Sequence, residues 1–316
     1  RMVYFTGGRT FAYDVNRRAW SDVAPGVGPP PVLGGSLCAD PYNDEIVLSG
    51  GGHVAERGPD GSLTGYTGTW IYGCEDRAWR RLDADTVPPP RMATRLVGDT
   101  RGGLRVLFGG DAQTHYLADT WVYDTRTRRW RESEAPGGPP PRAGHFTVYD
   151  PTTGWVIVGG GYNRRTLTDM WAYDAGEDRW FRLKGKTPAG WYVTADIRPD
   201  DGLIVLTTAK KHARMARHCD ELFLVRTTHV FRIDGDDGGL IDSSVTPEAH
   251  APQPRRPRRQ TTGGTRPSPA RRDAQARRLS EMPDNEWVLL EDPGRAAPLR
   301  TWGSCAFDTD RGQVIY

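Results

Sequence analysis

Four times along the chain a tyrosine is followed seven residues later by a tryptophan: Tyr13 and Trp20, Tyr72 and Trp79, Tyr123 and Trp130, Tyr173 and Trp180. The closing tryptophan returns with a period of about 50 residues, and a fixed period of this length marks a stack of similar structural units. The clearest unit is PPPRAGHFTVYDPTTGWVIVGGGYNRRTLTDMWAYDAGEDRW, residues 139–180. Residues 88–130, PPPRMATRLVGDTRGGLRVLFGGDAQTHYLADTWVYDTRTRRW, follow it nearly throughout. Each unit reads as a Pro-rich turn, a strand, an Asp turn, an apolar strand, a glycine pair, a polar loop, a Trp-x-Tyr-Asp strand, a turn and a Trp strand.

Other copies depart from this pattern in ways that can be located. The unit at 29–79 keeps Gly50-Gly51-Gly52, Trp70, Tyr72 and Trp79, but Gly73 replaces the Asp after the tyrosine and its polar loop is swollen. The first unit is headless, with Gly7-Gly8, Tyr13-Asp14 and Trp20. In the fifth, GWYVTADIRPDDGLIVLTT (190–208) supplies two strands, but Thr207-Thr208 stand where the glycines should be. THVFRID (228–234) replaces TWVYD, and Trp287 resembles the closing tryptophan only after a long interval. A sixth copy starts in RTWGSCAFDTDRGQVIY (300–316), which aligns without a gap on residues 142–158.

Each unit therefore predicts one four-stranded antiparallel blade. Short alternating strands pack face to face on their neighbours. The glycines permit a sharp turn at positive φ, the Trp and Tyr rings fill the space between twisted blades, and the Asp after Tyr sets an Asx turn into the last strand. Gly-Gly, Tyr-Asp and Trp recurring in register resemble the kelch repeat, whose members fold as β-propellers. The resemblance covers nearly the whole chain outside 235–285. It implies an all-β, kelch-type propeller of four-stranded antiparallel blades. About five repeats are present, against the six or seven blades usual in the family. MVYF at one end and QVIY at the other both occupy the second strand of a repeat, so a single propeller domain over 1–316, cut short at both ends, is expected.

Residues 251–278 hold nine Arg and one Asp, while the rest of the chain is mildly acidic, for an overall charge of +2. The interval 235–285 is rich in Pro, Gly and Arg and poor in large apolar residues, so it is expected to be a disordered basic insertion within the fifth repeat. Its charge attracts anions of any kind and does not single out nucleic acid, which is not expected as the partner. Cys38, Cys74, Cys219 and Cys305 form no CxxC pair, which removes zinc-ribbon and thioredoxin readings. Cys38 and Cys305 sit in apolar strand patterns and read as buried thiols. No run of about 20 apolar residues would span a bilayer, and the compartment is left open.

The resemblance implies that the loops between second and third strands, 52–67, 111–118, 161–168 and 208–222, gather around the mouth of a central channel. They carry the candidate ligand-binding residues His53, Arg57, Tyr66, His115, Tyr162, Arg164, Lys210, Lys211, His212 and Arg214. Arginines there can grip carboxylate, sulfate or phosphate. The reading is a binding scaffold for a protein partner or a glycan, in particular an anionic one. The alternative is a lyase-like propeller enzyme acting on an anionic polysaccharide, with a His or Tyr as base. No cofactor or metal is expected: His212 and His218 are too weakly spaced for a metal site, and no GxSxG, HExxH or phosphate-binding GxGxxG before a helix is present. The strings GGGH and GGGY precede strands, not helices. His145 aligns with strand positions that face neighbouring blades and reads as structural.

Overall fold

A computed structural model of the chain describes residues 2–6, 8–14, 19–23, 26–57, 63–65, 68–98, 103–188, 191–198, 202–210, 225–231, 240–241, 288–289, 306–308 and 313–315. Among them every regular element is a strand. Blade 1 is β1 (Met2–Thr6), β2 (Arg9–Asp14) and β3 (Ala19–Asp22). A small side sheet pairs β4 (Val32–Leu33) with β7 (Gly52–Arg57) and β8 (Leu63–Gly65), while blade 2 is β5 (Ser36–Asp40), β6 (Glu45–Ser49), β9 (Thr69–Gly73) and β10 (Ala78–Arg81). Blade 3 is β11 (Leu96–Gly98), β12 (Leu104–Asp111), β13 (Tyr116–Asp124) and β14 (Arg129–Glu132).

Blade 4 is β15 (Phe146–Asp150), β16 (Trp155–Gly159), β19 (Asp169–Asp174) and β20 (Arg179–Lys186), with β17 (Tyr162–Asn163) and β18 (Arg165–Thr166) forming a separate two-stranded tip. Blade 5 is β21 (Trp191–Arg198), β22 (Leu203–Lys210), β23 (Val225–Phe231) and β25 (Val288–Leu289). Between its last two strands the chain visits blade 4, where β24 (Leu240–Ile241) adds a fifth strand beside β20. These are the described residues of the 235–285 interval; the rest of it lies outside them. β26 (Ala306–Asp308) and β27 (Gln313–Ile315) pair as the start of a sixth blade. All ladders among the described residues are antiparallel.

The innermost strands follow one another along an arc, β5 beside β11, β11 beside β15, β15 beside β21 and β21 beside β26. Backbone bonds stitch this inner rim, from Gly144 N to Ala93 O at 2.8 Å and from Val193 N to Gly144 O at 3.0 Å. Among the described residues no ladder joins blade 1 to β26 and β27, so the arc is not closed.

The core lies between the blades. Val106 and Phe108 of β12 pack with Val156, Val158, Trp171, Tyr173 and Trp180 of blade 4. Leu107, between them, packs with Val47 and Ile71 of blade 2. This alternation is the two-residue period of a strand buried on both faces. The repeated aromatics do two jobs. Within a blade, Tyr and Trp rings meet at 5.2, 5.1 and 4.9 Å (Tyr72–Trp79, Tyr123–Trp130, Tyr173–Trp180). Between blades, the closing indoles of blades 2, 3 and 4 donate to a threonine of the preceding blade: Trp79 to Thr10 at 2.7 Å, Trp130 to Thr69 at 2.9 Å and Trp180 to Thr120 at 3.1 Å. The equivalent position facing blade 5 is Met170, fully buried against Val193, Ile204 and Leu206.

The expected turn chemistry is present. Asp124 Oδ1 accepts from Arg126 N at 2.8 Å, and Asp174 Oδ1 accepts from Gly176 N at 2.9 Å. In blade 2 the space a Cβ on Gly73 would need is taken by Asp76 and Arg80, whose charges pair. In blades 2, 3 and 4 both glycines of the pair have positive φ, 73° and 110° at Gly50-Gly51, 59° and 118° at Gly109-Gly110, and 66° and 83° at Gly160-Gly161. Where Thr207-Thr208 replace them the chain runs straight on, and β22 pairs with β23 without a register shift from Ile204 to Lys210. Threonine is disfavoured at positive φ and suited to a strand, so this ladder stays in register where that of blade 3 shifts between Phe108 and Gly110. His145 is buried as expected. Cys38, expected to be buried, is half-buried against the core between blades 2 and 3, and desolvation there pushes its thiol up to about 12; Cys219 and Cys305 lie outside the described residues.

Candidate functional site: the hairpin face of blades 3 and 4

Beneath the polar segments lies a buried ionic layer that repeats from blade to blade. Arg91 donates to both carboxylate oxygens of Asp119, at 2.8 and 2.6 Å, and to the carbonyls of Gly109 and Pro89 at 3.0 Å. Arg142 repeats this with Asp169 Oδ2 at 2.6 Å and the carbonyls of Gly160 and Pro140 at 3.1 Å. Trp121 and Trp171 donate to the same carboxylates at 2.7 and 2.6 Å. Burial alone would raise the Asp169 carboxyl, but Arg142 and Trp171 more than offset it and hold it below the usual carboxylate range. The backbone of each Pro-Arg segment also accepts from the preceding blade, Gly51 N to Arg91 O at 2.7 Å and Gly110 N to Arg142 O at 2.9 Å. The Pro-Pro-Pro-Arg motif thus ties two glycine turns to one rigid floor. Both its arginine and its aspartate were visible in the repeat, but nothing in their spacing showed that they pair.

Hairpin extensions rise from this floor where polar loops were expected. β12 and β13 continue past the glycines to a turn at 112–115, where Gln113 N donates to Asp111 Oδ1 at 2.7 Å. His115 is exposed on this turn, its Nδ1 2.9 Å from Thr114 Oγ1. β17 and β18 make a smaller tip, anchored by the Ala143–Tyr162 bridge and by Asn163 Nδ2 donating to Pro141 O at 2.9 Å. Arg164 forms its apex at φ 58°, and Arg164 and Arg165 are both exposed. The two tips meet: the Tyr116 and Tyr162 rings stand edge to face at 5.6 Å across the blade boundary.

The structure therefore brings His115, Tyr162 and Arg164 to neighbouring tips. His53 and Arg57 lie on β7, with His53 opposite Thr64 and Arg57 opposite Leu63. Lys210 ends β22 opposite Val225. Tyr66, Lys211, His212 and Arg214 lie outside the described residues. Sequence reasoning missed Arg95, which reaches from blade 3 to donate to Thr194 Oγ1 of blade 5 at 3.2 Å.

His145 sits beneath this face against Phe108, ring centroids 5.5 Å apart. Burial, with Arg142 and Arg95 nearby, pushes its pKa down to about 3. A neutral, enclosed imidazole of this kind is a packing element. Among the described residues no group of three or more His, Cys, Asp or Glu is arranged to hold a metal ion, and no helix is long and apolar enough to cross a membrane.

Radially stacked antiparallel blades, repeated glycine turns and hairpins presented from a rigid floor define a repeat scaffold of the β-propeller class. The KLHDC2/KLHL20/DRC7 Kelch-repeats domain matches residues 4–195. The chain belongs to the kelch-repeat family. It is similar to acyl-CoA-binding domain-containing proteins 5 and 4 of Arabidopsis thaliana, each 28% identical over 155 residues, 48% of this chain and 22% of the relative. The match thus spans about a fifth of the length of those curated relatives.

Proposed function

We propose that this kelch scaffold, a protein-binding module in general terms, holds an extended segment of a partner protein across the tips of blades 3 and 4. The observation that carries the reading is the Tyr116–Tyr162 pair at 5.6 Å, flanked by exposed His115, Arg164 and Arg165. Two rigid aromatic rings offer contact area at small entropic cost, and arginines at their side recognise carboxylates. His53, Arg57, Tyr66, Lys210, Lys211, His212 and Arg214 extend the same surface from neighbouring blades in this reading, so acidic segments are preferred. Fold alone does not supply this function; the side chains at the tips do.

The test selects peptides by display on the intact chain and measures them against Tyr162→Ala and Arg164→Glu. Loss of about tenfold or more in affinity for each variant, with unchanged thermal stability, is the expected result. Peptides that bind both variants as well as the parent would remove the tips from the site. A parallel array of acidic and neutral glycans at two salt concentrations separates a glycan ligand, which would bind in place of the peptides and lose affinity with salt.

A further inference from the structure

The outer edge of blade 4 differs from its counterparts. The outermost strands of blades 1, 2 and 3 are four residues each (β3, β10, β14). β20 is eight, RWFRLKGK, and runs back along β19 to pair Lys186 with Asp169. Among the described residues it is also the one outer strand whose far side carries a further strand. That strand, β24, is only two residues long and uses two positions of β20, Arg182 opposite Ile241 and Leu183 opposite Leu240.

The chemistry of the two partners is complementary. β20 exposes Arg179, Lys184 and Lys186. Around Leu240-Ile241 the sequence is DGDDGGLIDS, with Asp234, Asp236, Asp237 and Asp242 and no basic residue. Lysines along an exposed edge repel a second copy of the same edge. They favour an acidic strand over a basic or neutral one. An edge eight residues long offers main-chain hydrogen bonds to any extended segment of matching charge. A two-residue occupant uses few of them, so a longer strand of the same character outcompetes it.

We propose that β20 is a strand-addition site, occupied in cis by Leu240-Ile241 and built to receive an extended acidic segment of a partner protein in exchange. This surface lies on the outer edge of the blade and is independent of the hairpin tips. Whether Leu240-Ile241 stay paired then sets whether the edge is covered.

The test adds a synthetic peptide of residues 234–243 to the intact chain and to the double variant Leu240→Pro/Ile241→Pro, which cannot donate main-chain hydrogen bonds from those positions. The expected result is about tenfold tighter binding to the variant than to the parent, reversed by Lys184→Glu/Lys186→Glu and absent for a peptide with its aspartates changed to lysine. Equal binding to parent and double variant, or binding indifferent to the Lys184 and Lys186 changes, overturns the proposal. Hydrogen exchange on the parent chain gives a second reading that needs no proline variant. Excess peptide should speed exchange at whichever of Leu240 and Ile241 turns its N–H to β20, since only alternate residues of a strand do so, while the β20 residue opposite it stays protected; unchanged exchange at both Leu240 and Ile241 also overturns it.

Discussion

Trp130 donates its indole N–H to Thr69 Oγ1 at 2.9 Å across the boundary between blades 2 and 3. Both groups are buried. The same bond joins blades 1 and 2 and blades 3 and 4, and at the next boundary the threonine has become Met170. Thr69→Val keeps the shape and removes the acceptor, leaving a buried N–H without its partner. The expected cost is about 1–2 kcal/mol in urea unfolding. Met170→Thr is expected to destabilise by about 1–3 kcal/mol, because it places a hydroxyl in an apolar cluster whose neighbours Val193, Ile204 and Leu206 offer no side-chain partner. A stabilising Met170→Thr would show that this boundary holds a donor after all.

The buried arginines should be far more sensitive than surface ones. Arg142→Met removes one partner of the pair with Asp169 and strands the carbonyls of Pro140 and Gly160. Unfolding experiments should show a loss of about 3–5 kcal/mol. Arg128→Met, which breaks the pair between the exposed Arg128 and the largely covered Glu45, should cost about 1 kcal/mol.

His145 makes the stability depend on pH in a definite direction. Its pKa in the fold is about 3, against about 6.5 in an unfolded chain. Between those values the unfolded chain binds a proton that the folded one does not, so stability falls as pH drops from about 6.5 towards 3. His145→Thr, the residue its sister blade carries as Thr94, removes this term. Between pH of about 7.5 and 5 the parent should lose about 2 kcal/mol more than the variant in denaturant titrations. Parallel curves for the two proteins would mean that the imidazole is protonated inside the fold.

Glycine substitutions should sort by surroundings. A Cβ on Gly161, at φ 83°, would lie 2.6 Å from the Ala143 carbonyl oxygen. Gly161→Ala combines left-handed strain with that clash and should cost about 3 kcal/mol or more. Gly137, at φ 76°, has nothing within 4 Å of the same added atom, so Gly137→Ala should cost only about 1–2 kcal/mol. Thermal melts of the two variants separate the effects.

The blades were legible because their signals are local and repeated. Tyr123 and Trp130 are seven residues apart and touch within one blade, and Gly109-Gly110 turn where the sequence says they must. What escaped the sequence depends on partners distant along the chain. Nothing in Pro-Pro-Pro-Arg announces that Arg91 meets Asp119, or that Arg95 reaches Thr194. The hairpin tips were read as loops because their polar residues mask strands that stand clear of the core. β24 was hidden by its length: two apolar residues in an acidic, glycine-rich stretch carry no periodicity, and only the open edge of β20 gives them a place.

In each Trp–Thr bond the acceptor comes first in the chain, 60 to 69 residues before its donor. A ribosome therefore delivers every such tryptophan to a blade whose threonine has already emerged. Assembly along the arc can follow the direction of synthesis, each new blade closing onto a finished one, and no closing indole in this series waits for sequence not yet translated.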